Sequence, residues 1–456
     1  MVTLLTINYL HVTVQLIRKG CEALRLGVVI KVGTDAGTPA DQIKRINVAR
    51  VLQAIHWGRH SSRVDIASAL ALNPATASRA VTRLLGLGLV REFDPQPNAE
   101  VGRRKTPLAV DSETYVVVGV HAGLLRTTVG LVSLHGQMLS GTSFDHRATP
   151  PREAIAAAAE WAKAEVRTSH RLTLGVGLAM HGHRGEPGGS VPGTGLTHDE
   201  ARRVLGELFP GATVRVDPVS TADALAQYWW SPDAVRSGHT SDAQEHPTHE
   251  VAPQLLLYLY VAALPGVALL DGGMAAPGSR GLSGNIDHLQ VPHPMGNRCE
   301  CGLDACFLAN VGNIAVIDAA SRISGRALES LREVVDLAET EPAVRDLLRR
   351  RAENIVAAAR VLDDLIEPDR FVLGGDAVAR SSAIITELIG QMPPRSAGDG
   401  IGRNALHVID SREESVVRGP AALVFAELMD KPEDVTARAT DFGPPDDPAL
   451  TSRRGA

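Results

Sequence analysis

At 456 residues the chain is too long for one ordinary hydrophobic core, so two or three domains are expected. Its 44% hydrophobic and 21% charged residues suit a water-soluble globular protein. No run is apolar for the eighteen residues a membrane helix needs, and residues 1–16 lack the early positive charge and cleavage site of a secretory signal, so a cytoplasmic protein is expected. The net charge of −6 hides an asymmetry: residues 44–105 hold 11 Lys and Arg against 4 Asp and Glu, or +7, which leaves −13 on the rest.

A basic module on an acidic body fits a protein in which one part meets phosphates and the other repels them, although charge alone suits an unpartnered basic face equally well. In chain order, residues 1–42 show no clear period, end in the turn-rich stretch Gly33 to Pro39, and are an unassigned extension. Residues 43–110 read as helices followed by a hairpin. Strands and helices then alternate over 111–430, the pattern of an α/β domain. Within it a strand is expected at Tyr115 to Val120, a helix at Ala154 to Arg167 and a buried strand at Leu172 to Met180. A short strand at Thr213 to Val216 and a helix at Ala222 to Trp230 follow. The polar, aperiodic residues 231–250 read as an inserted loop. Gln254 to Ala262 resumes as a strand, Ala315 to Arg322 and Ala343 to Ile366 as helices, and Arg370 to Leu373 as a strand entering Gly374 and Gly375. The charged, proline-bearing tail 431–456 is expected to be disordered.

Within 43–110, Ile46, Val48, Val51, Leu52 and Ile55 recur at helical spacing. Ser62 can cap a second helix that turns Ile66, Ala67 and Leu70 inward. Asn73 caps a third, with Pro74 at its first position, where a missing N–H costs nothing. Its inner face is Ala77, Val81, Leu84 and Leu85, leaving Thr76, Ser78, Arg79, Thr82 and Arg83 outward. This is helix-turn-helix spacing, in which the third helix lies in the major groove of double-stranded DNA. Arg79 is the first candidate for a base contact, because a guanidinium can donate twice to a guanine edge, and Arg83 could do the same or bind phosphate. Gly86 and Gly88 end the helix and open a hairpin, a wing. Arg103, Arg104 and Lys105 at its far side can enter a narrow minor groove or bind phosphate. An ordinary three-helix surface domain is the competing reading.

Three of four cysteines, Cys299, Cys301 and Cys306, cluster after His288, while Cys21 lies far away. In a cytosolic chain such clustering favours metal over disulfides. Three thiolates and one imidazole make a closed tetrahedral set for one structural zinc ion, with Gly302 allowing the tight reversal between ligands. His288 and His293 are rival fourth ligands.

These residues resemble the ROK family (repressors, open reading frames, kinases), in particular its repressor branch. The likeness rests on Asn47, the Gly102-Arg103-Arg104 wing end, Gly119 to Gly123, Gly284 to His288, Cys299-Glu300-Cys301-Gly302 with Cys306, and Pro368 to Gly375. It implies a winged helix-turn-helix joined to two α/β lobes of the sugar-kinase, hsp70 and actin type, with a ligand cleft between the lobes. It further implies a homodimer or homotetramer on a palindromic operator, and His288 as the fourth zinc ligand.

Against that family's pattern the kinase parts are altered. The phosphate loop that opens with Asp and Gly-Gly-Thr in family kinases reads His121, Gly123, Leu124, Leu125 here, and the Asn-Asp pair holding the catalytic base reads Pro218, Val219. Valine cannot accept a proton. The second loop reads Ala262, Ala263, Leu264, Pro265, Gly266, and Phe307-Leu308 stands where Leu-Glu is usual. Asp217 and Asp223 are poor substitutes for the base. Of the family's sugar contacts His288 survives and Asn285 can still hydrogen-bond, so an effector would be sugar-like but atypical. The expected function is therefore a DNA-binding repressor with an inactive kinase-like domain. A sugar kinase fused to a DNA-binding unit and a scaffold that uses the winged helix only to dimerise are the alternatives.

Overall fold

A computed structural model describes residues 6–8, 11–14, 28–30, 38–58, 62–93, 106–182, 195–231, 255–276, 278, 283–391, 406–409 and 416–442. Compactness divides the chain once, between Asn47 and Val48. The first unit holds three short antiparallel strands, β1 (Thr6–Asn8), β2 (His11–Val14) and β3 (Val28–Ile30), and the opening turns of helix α1 (Pro39–Gly58).

In the second unit α1 is followed by α2 (Arg63–Ala69), α3 (Pro74–Gly86) and an antiparallel hairpin of β4 (Val90–Glu92) and β5 (Leu108–Val110). The helices form where spacing and caps predict them. Val51, Leu52 and Ile55 meet Ile66, Val81, Leu84, Leu89 and Leu108 in one apolar cluster. Ile46 and Leu85 depart from the expected inner face, the first exposed and the second half-buried.

A mixed sheet in the order β10-β9-β6-β7-β8 comes next. It contains β6 (Tyr115–Ala122), β7 (Arg126–Ser133), β8 (Met138–Asp145), β9 (Leu172–Met180) and β10 (Thr213–Pro218). The sheet is joined by α4 (Pro151–Ser169), α5 (His198–Leu208) and α6 (Val219–Trp230). Strand β9 is buried at every position, as its run, apolar but for Thr173, requires of a parallel strand covered on both faces.

The second sheet runs β13-β12-β11-β14-β15: β11 (Leu255–Tyr260), β12 (Gly266–Asp271), β13 (Met274–Ala275), β14 (Arg370–Gly374) and β15 (Leu406–Val408). Its helices are α7 (Phe307–Val311), α8 (Asn313–Ser324), α9 (Leu331–Ala338), α10 (Pro342–Ile366), α11 (Asp376–Arg380) and α12 (Ser382–Gly390). The inserted loop expected at 231–250 lies outside the described residues after Ser231.

Helix α13 (Arg418–Asp430) returns to the first sheet and packs on β6, β9, β10 and α6. The approach is backbone to backbone: a Cβ at Gly119 would overlap the Val417 carbonyl, and one at Gly177 the Pro420 carbonyl. The tail expected to be disordered from 431 continues instead as α14 (Pro432–Thr436), after which Thr440 bridges Thr173 and Phe442 packs on Phe209. Pro432 at the first helical position, with Glu433 and Asp434 behind it, starts that helix in the ordinary way. Residues 443–456 lie outside the described residues.

Because the contact at Gly177 is with backbone, no side chain can swing aside to admit a methyl group. Gly177→Ala is expected to cost about 3 kcal/mol or more, read as a lower denaturant midpoint. Gly206→Ala, in α5 with open space around it, is the control and is expected to stabilise by about 0.4–1 kcal/mol.

Candidate nucleic-acid interface and metal centre

Helix α3 is fixed at its start by Asn73, whose Oδ1 accepts from the Ala75 amide at 2.9 Å, with Pro74 at N1. Helix α2 is capped by Ser62, which gives its hydroxyl proton to Asp65 at 2.7 Å and accepts from the Asp65 amide at 3.4 Å. The outward residues of α3 have different partners. Arg79 is exposed and makes a long 3.4 Å bond to Thr76 of its own helix. Ser78 and Thr82 accept from Arg63 of α2 at 2.9 and 3.2 Å, and the Thr82 hydroxyl donates to the Ser78 carbonyl at 2.9 Å. Arg83 pairs with Glu433 of α14 at 2.5 Å. Arg103, Arg104 and Lys105 lie outside the described residues.

The helix-turn-helix does not hang free of the α/β part. Gln53 of α1 donates to the Met429 carbonyl at 2.9 Å, His56 bonds the Trp229 carbonyl at 2.7 Å, and Trp57 stacks on Trp229 with centroids 5.5 Å apart.

His288, Cys299, Cys301 and Cys306 bring their ligand atoms within 4.8 Å of one another. His288 Nδ1 lies 3.5 Å from Cys299 Sγ, and Cys301 Sγ 3.4 Å from Cys306 Sγ. Metal–ligand bonds of about 2.0–2.3 Å in a tetrahedron set such edges at roughly 3.5–3.8 Å, so the set fits a zinc-sized ion. The chain holds them by local turns. Gly302, at φ 91°, returns its amide to the Cys299 carbonyl at 2.8 Å, and Gln290 bridges to Cys306. Backbone and thiol hydrogen bonds lower Cys301 to about 7, while burial pushes Cys306 up to about 11. His293, the rival ligand, pairs instead with Glu353 at 3.6 Å. Asn285, expected to touch an effector with His288, is exposed and its Oδ1 accepts from the Asp287 amide at 3.0 Å.

The parallel strands β6, β9 and β10 end together, where open α/β sheets bind ligands. His121, Ala179 and Asp217 stand in register across them, followed by Pro218 and Val219. His181, directly after β9, places its ring 6.1 Å from that of His121 and 6.4 Å from that of Tyr260, the last residue of β11. Burial lowers both imidazoles, to about 3 for His121, where the neighbouring His181 adds to the effect, and to about 4 for His181. They are neutral at pH 7. The Leu124-Leu125 turn is held by His146, whose Nδ1 donates to the Leu124 carbonyl at 3.1 Å and whose Nε2 accepts from Thr127 at 3.0 Å. Val219 is buried, and Asp223 lies under α13 against Gly419. Burial raises Asp223 to about 7, with Arg418 opposing.

Sequence reasoning missed Arg63, Glu433, His181 and Tyr260. The last two were findable, since each sits at the end of an apolar strand. The pairs made by Arg63 and Glu433 span 15 to 350 residues and leave no local signal.

The ROK family model matches residues 244–427. Transcriptional regulator Rv0485 of Mycobacterium tuberculosis is 29% identical over 345 residues, 72% of this chain and 74% of that protein. The DNA-binding transcriptional dual regulator NagC of Escherichia coli K12 is 24% identical over 282 residues, 60% of this chain and 64% of NagC. A crystal structure of a ROK family transcriptional regulator, described as a homolog of the E. coli MLC protein, superposes with a TM-score of 0.66 at 20% identity. It covers 87% of this chain and 100% of that one, and shows the shared fold. The likeness to the ROK family thus spans residues 244–427, and the relatives named here are transcriptional regulators.

Proposed function

We propose that the chain is a transcriptional repressor that reads a palindromic operator as a homodimer or homotetramer, with α3 in the major groove and the β4–β5 hairpin as its wing. The observation that carries this reading is Arg79, an exposed guanidinium on a helix capped at Asn73 and Pro74, paired with no acid among the described residues. The regulator names of its relatives support it. Residues 43–110 act as the DNA-binding module. Thr76 and Arg79 carry base reading and Arg103, Arg104 and Lys105 supply phosphate or minor-groove contacts. Ser78 and Thr82 stay tied to Arg63.

The α/β part is an effector and assembly domain and transfers no phosphoryl group. The strand ends present neutral His121 and buried Val219 where the family's kinases place carboxylates, and Leu124 and Leu125 crowd the phosphate loop. Asp223, whose carboxyl burial raises to about 7, is covered by α13. The cleft's ligand, sugar-like but atypical, meets imidazole and phenol groups from His121, His181 and Tyr260. His288, Cys299, Cys301 and Cys306 hold one zinc ion. All four positions are taken by protein, so the ion braces the second lobe and activates no water.

DNA selected by the purified protein supplies the operator for two measurements, and metal analysis makes a third. Arg79→Ala is expected to lose about 1 to 3 kcal/mol of operator affinity and to relax preference at one base pair; unchanged binding removes Arg79 from the interface. Glu433→Gln releases Arg83 and is expected to tighten binding about twofold to fivefold, the worth of a partly exposed ion pair, whereas weaker binding means the pair supports the DNA-binding form. Elemental analysis is expected to find about one zinc per chain, lost in Cys301→Ser together with a lower melting temperature. A zinc-free, fully folded wild type rules the metal out.

A further inference from the structure

We propose that Arg63 is a positioning residue for DNA reading, which locks the rotation of α3 against the wing; this rests on the DNA-binding reading above. Its Nη1 donates to the Ser78 carbonyl at 3.2 Å, to Ser78 Oγ at 2.9 Å and to Thr82 Oγ1 at 3.2 Å. Its Nε and Nη2 both donate to Glu92 Oε1, at 3.3 and 3.0 Å. One planar fork thus joins α2, α3 and the last residue of β4.

An ordinary surface ion pair would need only Glu92, and at 33% and 42% side-chain exposure it would be worth little. The three bonds to α3 are what set Arg63 apart. Ser78 and Thr82 are one helical turn from each other, so anchoring both fixes the helix about its axis as well as along it. Arg79 follows Ser78 by one residue, about 100° around the helix, and its direction is set by that anchor. The Thr82 hydroxyl gives its proton to the Ser78 carbonyl and accepts from Arg63, so it is a strut rather than a reader. Glu92 ties the same fork to the strand that leads, in sequence, toward Arg103, Arg104 and Lys105. A lysine cannot replace the fork, since a single ammonium cannot span both sides.

The test uses full-length wild type, Arg63→Ala, Arg63→Lys and Glu92→Ala. It measures affinity for the selected operator and for a non-specific duplex over a salt series, and amide exchange at Val90–Glu92 without DNA. Both Arg63 variants are expected to lose about tenfold or more in operator affinity, with non-specific affinity and its salt slope unchanged and exchange at β4 accelerated. Glu92→Ala, at an exposed strand end, keeps the fold whatever happens to Arg63→Ala and is expected to lower the operator-to-non-specific ratio too. Simple removal of an acid would strengthen both affinities and leave the ratio unchanged, which overturns the proposal. A joint fall in both affinities with a salt slope reduced by about one makes Arg63 a phosphate contact instead, and also overturns it. So does full activity of Arg63→Lys. A wild type that binds no duplex ends the DNA-binding reading, and unchanged exchange at β4 then separately removes the clamp.

Discussion

The contact on which the other arrangements depend is that of α13 with strands β6 and β9. Gly119 and Gly177 remove the side chains that would hold a helix some 10 Å above a sheet, so the Val417 and Pro420 carbonyls lie directly on the strands. A joint made of backbone on backbone has no soft layer. The same helix, one turn later, packs its apolar face on Trp229, Trp230 and the cluster that continues into α1. Arg215 of β10 pairs with Glu427, Gln53 reaches the Met429 carbonyl, and α14 delivers Glu433 to Arg83. The first sheet, α6 and the helix-turn-helix therefore share one support.

That support does not depend on the residues at the strand ends. Fold and site are separable: the glycines that seat α13 serve the frame, whereas His121, Val219 and the Leu124-Leu125 turn occupy the strand ends where chemistry would occur. The His121 side chain is not what holds the sheet, because the register of β6 on β9 is carried by main-chain bonds. The His288, Cys299, Cys301 and Cys306 cluster belongs to the frame as well. It gathers the segment between Gly284 and Phe307, which has few strand or helix bonds of its own, and Asn310 reinforces it by donating to the Asp304 and Cys306 carbonyls at 2.7 and 2.8 Å.

Much of this was legible because the signals are local. Strand β9 matches its expected span to the residue, since a nine-residue run with one polar member, Thr173, between polar ends leaves one solution. The Ser62 and Asn73 caps, the Pro74 start and the His-Cys spacing are likewise written within a few positions. What was not legible is tertiary. Tail residues 431–442 looked disordered because their composition is polar, yet Pro432 and the acids after it begin a helix that pays for its order by packing beneath β9. Ser78, Thr82 and Arg83 look equally available on a helical wheel. Their partners, Arg63 and Glu433, become visible only when the chain is folded, and they reduce five outward side chains on α3 to Thr76 and Arg79.

Magnitudes limit what each of those partners can do. An ion pair as exposed as Arg83–Glu433 contributes at most about 1 kcal/mol, roughly fivefold in affinity, so it can bias DNA binding but cannot switch it alone. Linkage requires any cleft ligand that loosens this pair to gain the same small factor and no more. A larger response has to come from geometry. α13 lies on β6 and β9 with no side-chain layer between, and α1 is tied to the same frame through Gln53, His56 and the Trp57–Trp229 stack. Were two copies to read two half-sites, a rigid shift of this frame would alter the spacing between recognition helices, and each helix would lose its contacts together rather than one bond at a time.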